Sequence, residues 1–433
     1  MKNELEYARE LIDFIYESPT PFHAVNNLKK ELSTSGFVEL KEDEKWELQK
    51  SGKYFVERNN SAIIAFVVGS SVVAKKGFKI VGAHTDCPTF RVKPNPEIVC
   101  ENSYMKLNTE AYGGAILNTW LDRPLCIAGR VTLKSNDILF PKTELVNINR
   151  PILIIPNLAI HMNRSVNSGV ELNKQVDMLP ILGLINENLE KENYLVKLIA
   201  HELNVKSEDI LDFDLLLYEY YKGCIIGVNN EFISSSRLDD LEMVHAGLTA
   251  LVNSKTSEAT NVLVCFDNEE CGSSSKQGAD SQFLSDVLER IILSFGGDRE
   301  DFFRALNKSF MVSSDVAHAV HPNKGEKADP TNRPHINNGP VIKINANQKY
   351  ASDSNSIAVF KEVCQKANVP CQTFVNRSDE AGGSTIGPIS SNHVAVRTVD
   401  IGTALLAMHS IREMCGVLDH SYVEKSLEEF FNI

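Results

Sequence analysis

The chain has 433 residues, 43% hydrophobic and 23% charged, with a net charge of -13. That length exceeds one ordinary core and sets two or three domains as the expectation; the composition is that of a soluble globular protein, and the acidic balance argues against a nucleic-acid partner. No apolar run approaches the roughly 18 residues that span a bilayer, the acidic start lacks a signal-peptide core, and the nine cysteines contain no C-x-x-C pair, so no membrane partner, disulfide framework or thiolate zinc site is expected and a cytoplasmic location fits.

In chain order, residues 4–15 place Leu5, Ala8, Leu11, Ile12 and Ile15 on one face, which predicts an amphipathic helix stopped by Ser18 to Pro21. The run FKIVGA at 78–83 reads as a buried strand that ends at His84. From about 95 to 232, short apolar runs (ILFP, PILIIP, DLLLYEYY, CIIGV) alternate with turn formers and predict a mainly β insertion. Beyond Asp239 a stripe of Leu241, Val244, Leu248 and Leu251 predicts a helix. NVLVCF at 261–266 reads as a second buried strand, ending in Asp267-Asn268-Glu269-Glu270, a segment taken as extended so that neighbouring side chains diverge. Leu284, Val287, Leu288, Ile291 and Ile292 predict another helix, closed by Gly296-Gly297. SFMVSS at 309–314 is a third buried strand and ends at Asp315, and residues 321–340 read as a long surface loop. Ser410-Ile411-Arg412-Glu413 has the form of a capping box, which predicts a helix starting just after His409.

These elements predict an α/β fold. A catalytic domain of residues 1–94 and 233–433, with a central mixed sheet flanked by helices, is interrupted by a β-rich insertion at 95–232.

In open α/β sheets, ligands gather beyond the carboxyl ends of strands, which is where His84, Glu269, Glu270 and Asp315 fall. In GAHTDCP, an imidazole ligand at His84 would have a carboxylate two residues away to hold its ring. Of Glu269 and Glu270, one carboxylate can bind metal while its neighbour acts as general base. Asp239 and Asp315 could each be a helix cap, and His409 a packed residue at a helix start. Together, the five at element junctions point to a metal centre. Two divalent cations are balanced by Asp239, Glu270, Asp315 and one bridging hydroxide, with His84 and His409 neutral. Nitrogen and oxygen donors suit zinc, cobalt or manganese.

The sequence resembles the aspartyl aminopeptidase family of di-metal exopeptidases along nearly its whole length. The matching segments are SPTPFHAVNNLKKEL, VGAHTDCPTFRVKP, YGGAILNTWLDRPLCIAGRV, IPNLAIHMNR, SRLDDL, DNEECGS, SSDVAHAVHPN, VIKINANQKYAS, GGSTIGPI and AMHSIREM. The resemblance implies a binuclear aminopeptidase, with zinc foremost, that removes N-terminal residues from peptide substrates. Acidic residues are the implied preference, neutral leucine-like ones the alternative, and a non-catalytic scaffold with a decayed site the reading of another class. It implies that Asp239 bridges the two ions, one also held by His84 and Asp315, the other by Glu270 and His409. Glu269 would be the general base and Asp86 the partner of His84. His161 would reach a neighbouring subunit's site, and His318, Lys343, Tyr350 and Gly383 would line the substrate pocket. A homo-oligomer is implied, a dodecamer built from dimers through the insertion. Two departures stand out: Asp240 where relatives have Asn, and Gly382 where Cys is expected.

Overall fold

Strands buried on both faces read as nearly continuous apolar runs, because helices cover both sides of a parallel sheet. The computed structural model describes residues 3–185 and 193–433, and four such strands form its centre. Thr260–Phe266, Phe78–His84, Phe310–Ser314 and Arg397–Gly402 lie side by side and parallel. They belong to a nine-stranded mixed sheet that continues through Ala62–Val67, Lys53–Arg58 and Val38–Glu39 on one side, and Val341–Ile344 and Gln372–Val375 on the other. Alternate residues feed two cores: Val81 and Leu263 face a layer containing Leu11, Leu28, Val244 and Phe430, while Ile80 and Val264 face one containing Phe283, Val287 and Ile291.

The opening helix is Glu4–Glu17, with Ala8, Leu11, Ile12 and Ile15 buried, and the next helix begins at Pro21. The helices predicted after Asp239 and around Leu284 are Leu238–Asn253 and Phe283–Ser294. The expected helix after His409 does not exist. Residues 409–412 form bends, Glu413–Gly416 is a strand paired with Phe232–Ser235, and the helix starts only at Val417. Both ends of the apparent capping box are used otherwise. Ser410 Oγ accepts the Arg412 N–H at 3.3 Å, and Glu413 Oε2 accepts the Asp239 N–H at 3.0 Å.

The chain divides into two compact units. One comprises Met1–Cys87, Gly223–Met408 and Glu413–Ile433 and holds the nine-stranded sheet. The other comprises Pro88–Lys222 together with His409–Arg412. Its six-stranded sheet runs Lys142–Leu153, Leu125–Leu133, Ile210–Glu219, Thr89–Cys100, Tyr104–Tyr112 and Ile181–Leu184. These strands are antiparallel around Phe90, Leu107, Trp120 and Leu215, with the helix Tyr194–Leu203 against them. The short segment 409–412 is tied into this unit. Ile411 joins its core, and Arg412, with Arg123, neutralises the buried Glu219 at 3.0 Å each. Among the described residues no helix is long and apolar enough to cross a membrane.

Candidate metal centre

The register of the central strands sets the site. Phe266 pairs with His84 and Ser313 with Gly82, so these strands end together, and the chain beyond each delivers polar side chains to one place. His84, Asp239, Asp240 and Asp315 offer donor atoms that all lie within 4.8 Å of one another, and all four are buried. His84 also falls within 4.8 Å of oxygens from Glu269 and Glu270, and Asp239 and Glu270 are mutually that close.

Each donor is locally held. His84 Nε2 stands 3.4 Å from Asp239 Oδ1. Its Nδ1 is 3.0 Å from the Asp86 carbonyl oxygen and 3.4 Å from Asp86 Oδ1. The Asp86 carboxylate accepts the backbone N–H groups of Glu269 and Glu270, each at 3.1 Å. Those bonds wind residues 269–271 into one turn of 3-10 helix after Asn268, whose φ is +64°. The segment is therefore not extended as expected, and a single carboxylate sets the aim of both glutamates.

Asp239 and Asp240 are joined by a cis peptide and depart from helical geometry at the head of their helix. Asp240 is a full member of the cluster, a role sequence reasoning left to Asp239 alone. Its Oδ2 accepts the His84 N–H at 3.1 Å, and its buried Oδ1 has no hydrogen-bond partner among the described residues. Glu413, which orients Asp239 through its backbone N–H, was also missed; its only sequence signal is its place in the AMHSIREM segment.

The electrostatics point one way. Burial opposes a charged His84, yet Asp240, Asp239 and Asp86 outweigh it and raise the imidazole pKa well above its usual value. Burial raises Asp240 and Glu270, and neighbouring carboxylates add to the effect. Glu269 is pushed up to about 7, by burial first and then by Asp315, Asp86 and Asp239 against the pull of His84. Carboxylates packed this closely resist losing their protons, and a divalent cation among them reverses that preference. The donor set of imidazole and carboxylate, without thiolate, fits a zinc-like ion.

The other predicted residues fall as follows. Lys343 is buried, with Nζ 3.3 Å from Asp315 Oδ2 and 3.0 Å from the Val316 carbonyl. Tyr350 is buried beneath it, its ring 5.4 Å from Nζ. His318 packs edge-on against Phe374 at 5.8 Å and lines a cavity of about 380 Å³ with His321, Lys324, Lys327 and Arg377. Gly383 is exposed, and a Cβ there would meet nothing within 4 Å. At Gly382 a Cβ would approach Asn376 Oδ1 to 2.5 Å, so the larger residue expected there does not fit without moving Asn376. His409 lies in the second unit, φ +67°, with Nδ1 3.2 Å from the Gly114 carbonyl. His161 is an exposed residue of that same unit.

Comparison with known proteins places this geometry in context. Residues 14–431 match the family model described as Aminopeptidase I zinc metalloprotease (M18). The chain is 74% identical over 433 residues to the probable M18 family aminopeptidase 2 of Clostridium acetobutylicum, covering 100% of both. In the cryo-EM structure of the Ape4 and Nbr1 complex, a chain 39% identical superposes with a TM-score of 0.95, over 99% of this chain and 86% of that one. The S. cerevisiae mApe1 dodecamer gives 0.85 at 28% identity, over 98% and 96%.

Proposed function

Because the chain belongs to the M18 family of zinc metalloproteases and is a metal-dependent aminopeptidase, we propose that it works through two divalent ions and favours acidic N-terminal residues. The observation that carries the site assignment is the buried cluster of His84, Asp239, Asp240 and Asp315, with Glu269 and Glu270 held beside it by Asp86.

In this reading His84 and Asp315 would hold one ion, Glu270 and His409 the other, and Asp239 would serve both. Zinc is foremost, with cobalt or manganese as alternatives. Bound there, the ions supply a Lewis acid for the scissile carbonyl and a water acidic enough to deprotonate near neutral pH. Glu269 would take that proton and return it to the departing amine. Asp86 keeps the Glu269 side chain aimed and positions His84. The substrate's free α-amine would bind near the other ion and the acidic residues, which would restrict cleavage to the N-terminus.

The acidic preference rests on Lys343. The cavity that begins at His318 adds Lys324, Lys327 and Arg377, of which Lys327 pairs with Glu380 and Arg377 with Asp379. Lys343 has three N–H donors, of which two serve Asp315 and Val316, leaving a third for a substrate carboxylate. In this reading Tyr350, beneath Lys343, and the exposed Gly383 also belong to the substrate pocket, as the family resemblance implies. Initial rates on a panel of aminoacyl chromogenic substrates test the proposal: Asp and Glu should lead, and a preference for Leu or Ala would leave the neutral aminopeptidase in its place.

We propose further that the insertion mediates assembly into a homo-oligomer of dimers, a dodecamer like that of mApe1, with His161 reaching a neighbouring subunit's site. The exposed Ile138, Leu139 and Phe140 of the second unit support an interface there. Light scattering on the purified protein tests this reading, and a monomer would end it. A cytoplasmic location is supported by nine free cysteines.

A further inference from the structure

Away from the catalytic cluster, a second group of donor side chains is buried between two helices of the first unit. Glu242 and His245 share one face of the helix Leu238–Asn253, three residues apart, and His420 and Glu424 share one face of the helix Val417–Asn432, four apart. His245 Nδ1 is 3.0 Å from His420 Nε2 and 3.5 Å from Glu424 Oε1, and His420 Nε2 is 3.0 Å from that same oxygen. Three atoms thus form a triangle with edges of 3.0, 3.0 and 3.5 Å. Two ligands on a tetrahedral zinc, each about 2.0–2.1 Å from the ion, stand about 3.3 Å apart, close to each of these edges.

Hydrogen bonding alone does not account for the triangle. Glu424 Oε1 is buried and forms no hydrogen bond of good geometry among the described residues, although it pairs with the His420 ring at 3.0 Å and has the His245 ring beside it. A buried carboxylate oxygen in that condition costs stability unless a cation meets it. On the other side of the His420 ring, Glu242 Oε1 faces Nδ1 at 3.8 Å, as a carboxylate commonly backs a metal-bound imidazole. The His245 ring packs against Phe14 at 5.2 Å and is 11% exposed, which gives an ion a way in.

We propose that His245, His420 and Glu424 bind a divalent ion of the zinc class, separate from the catalytic centre, with the remaining coordination position open to water. None of the three residues has a role in the peptidase mechanism. Such an ion would staple the helix that begins with Asp239 and Asp240 to the helix Val417–Asn432 that packs along it.

The test counts zinc by mass spectrometry in full-length protein, after dialysis and in the presence and absence of the catalytic site. Asp239→Ala should retain one zinc per chain, and Asp239→Ala combined with His245→Ala should retain none. In the otherwise native chain, His245→Ala should lose one equivalent yet keep peptidase activity, and the near-isosteric Glu424→Gln should do the same if His245→Ala does not fold. Cobalt(II) titrated into metal-free Asp239→Ala should give the intense visible absorption of a four-coordinate ion and raise the melting temperature, and neither should occur in the double variant. Unchanged zinc content in both His245→Ala and Glu424→Gln would overturn the proposal. So would Asp239→Ala protein that neither retains zinc nor responds to cobalt.

Discussion

Lys343 Nζ stands 3.3 Å from Asp315 Oδ2, and both side chains are buried at the edge of the candidate metal centre. Burial opposes the lysine's charge, but Asp315 outweighs it and holds its pKa above the ordinary value, so the ammonium persists. One side chain thereby touches a proposed metal ligand and, in the proposed reading, keeps a donor for the first substrate residue.

Lys343→Met should lower kcat/KM for Asp and Glu N-termini by about 100-fold, the kinetic equivalent of the ~3 kcal/mol cost of leaving a buried charge unpaired. Leu and Ala substrates should be largely spared, with metal content unchanged. A uniform loss across substrates would confine the role of Lys343 to Asp315.

Asp239→Ala should empty the catalytic centre of metal, because Asp239 oxygens lie close both to His84 and Asp315 and to Glu270. Asp240→Asn retains an acceptor for the His84 N–H and should keep its metal, although Asp240 sits in the same cluster. Metal analysis of the two variants side by side decides the matter. Equal loss would mean that both carboxylates are ligands.

Glu269→Gln should keep its metal and lose at least about 100-fold in kcat, the usual contribution of a general base. Asp86→Ala should also reduce kcat and, by removing the acceptor for two backbone N–H groups, destabilise the fold by about 2–4 kcal/mol. Asp86→Asn, which keeps an acceptor oxygen, should recover part of both. Denaturant melts with parallel kinetics separate the effects; loss of metal with restorable activity in Glu269→Gln would instead make Glu269 a ligand.

His23, which is not among the proposed ligands, supplies a pH test. Burial first, and Arg237 second, lower its pKa from 6.5 to about 4. With a depressed folded pKa, the unfolded chain takes up the proton first as pH falls. The contribution to stability is intact above about 6.5 and is lost as pH falls through about 4. In chelator, the stability of the native chain relative to His23→Gln should decline over that window in urea melts. A constant difference would show that the ring titrates normally.

Three of the four central strands were legible because burial on both faces favours nearly continuous apolar runs, which end at His84, Asp267 and Asp315; the fourth, Arg397–Gly402, was not read because Arg397, Thr398 and Asp400 interrupt its pattern. The helices were legible where their apolar stripes were long. Residues 268–271 were misread because their conformation is imposed by Asp86, which is distant in sequence. The spurious helix after His409 has the same cause. Ser410 and Glu413 have the right spacing to cap one, but Glu413 is taken by the Asp239 backbone. The role of Asp240 and the pairing of Lys343 were invisible, since both depend on strands that meet only in the folded sheet.

The chain passes between its two units at 87/88, 222/223, 408/409 and 412/413. The last two crossings place His409 on a four-residue graft whose supports, Gly114, Thr119 and Glu219, all come from the insertion. Excising residues 88–222 from the gene and closing the gap with a linker would therefore remove more than an accessory module. The remaining polypeptide would keep the coding sequence for His409 and lose the Gly114, Thr119 and Glu219 supports of its segment. An insertion of this kind is not dispensable ornament, and a lineage could shed it only by inventing a new anchor for the same four residues.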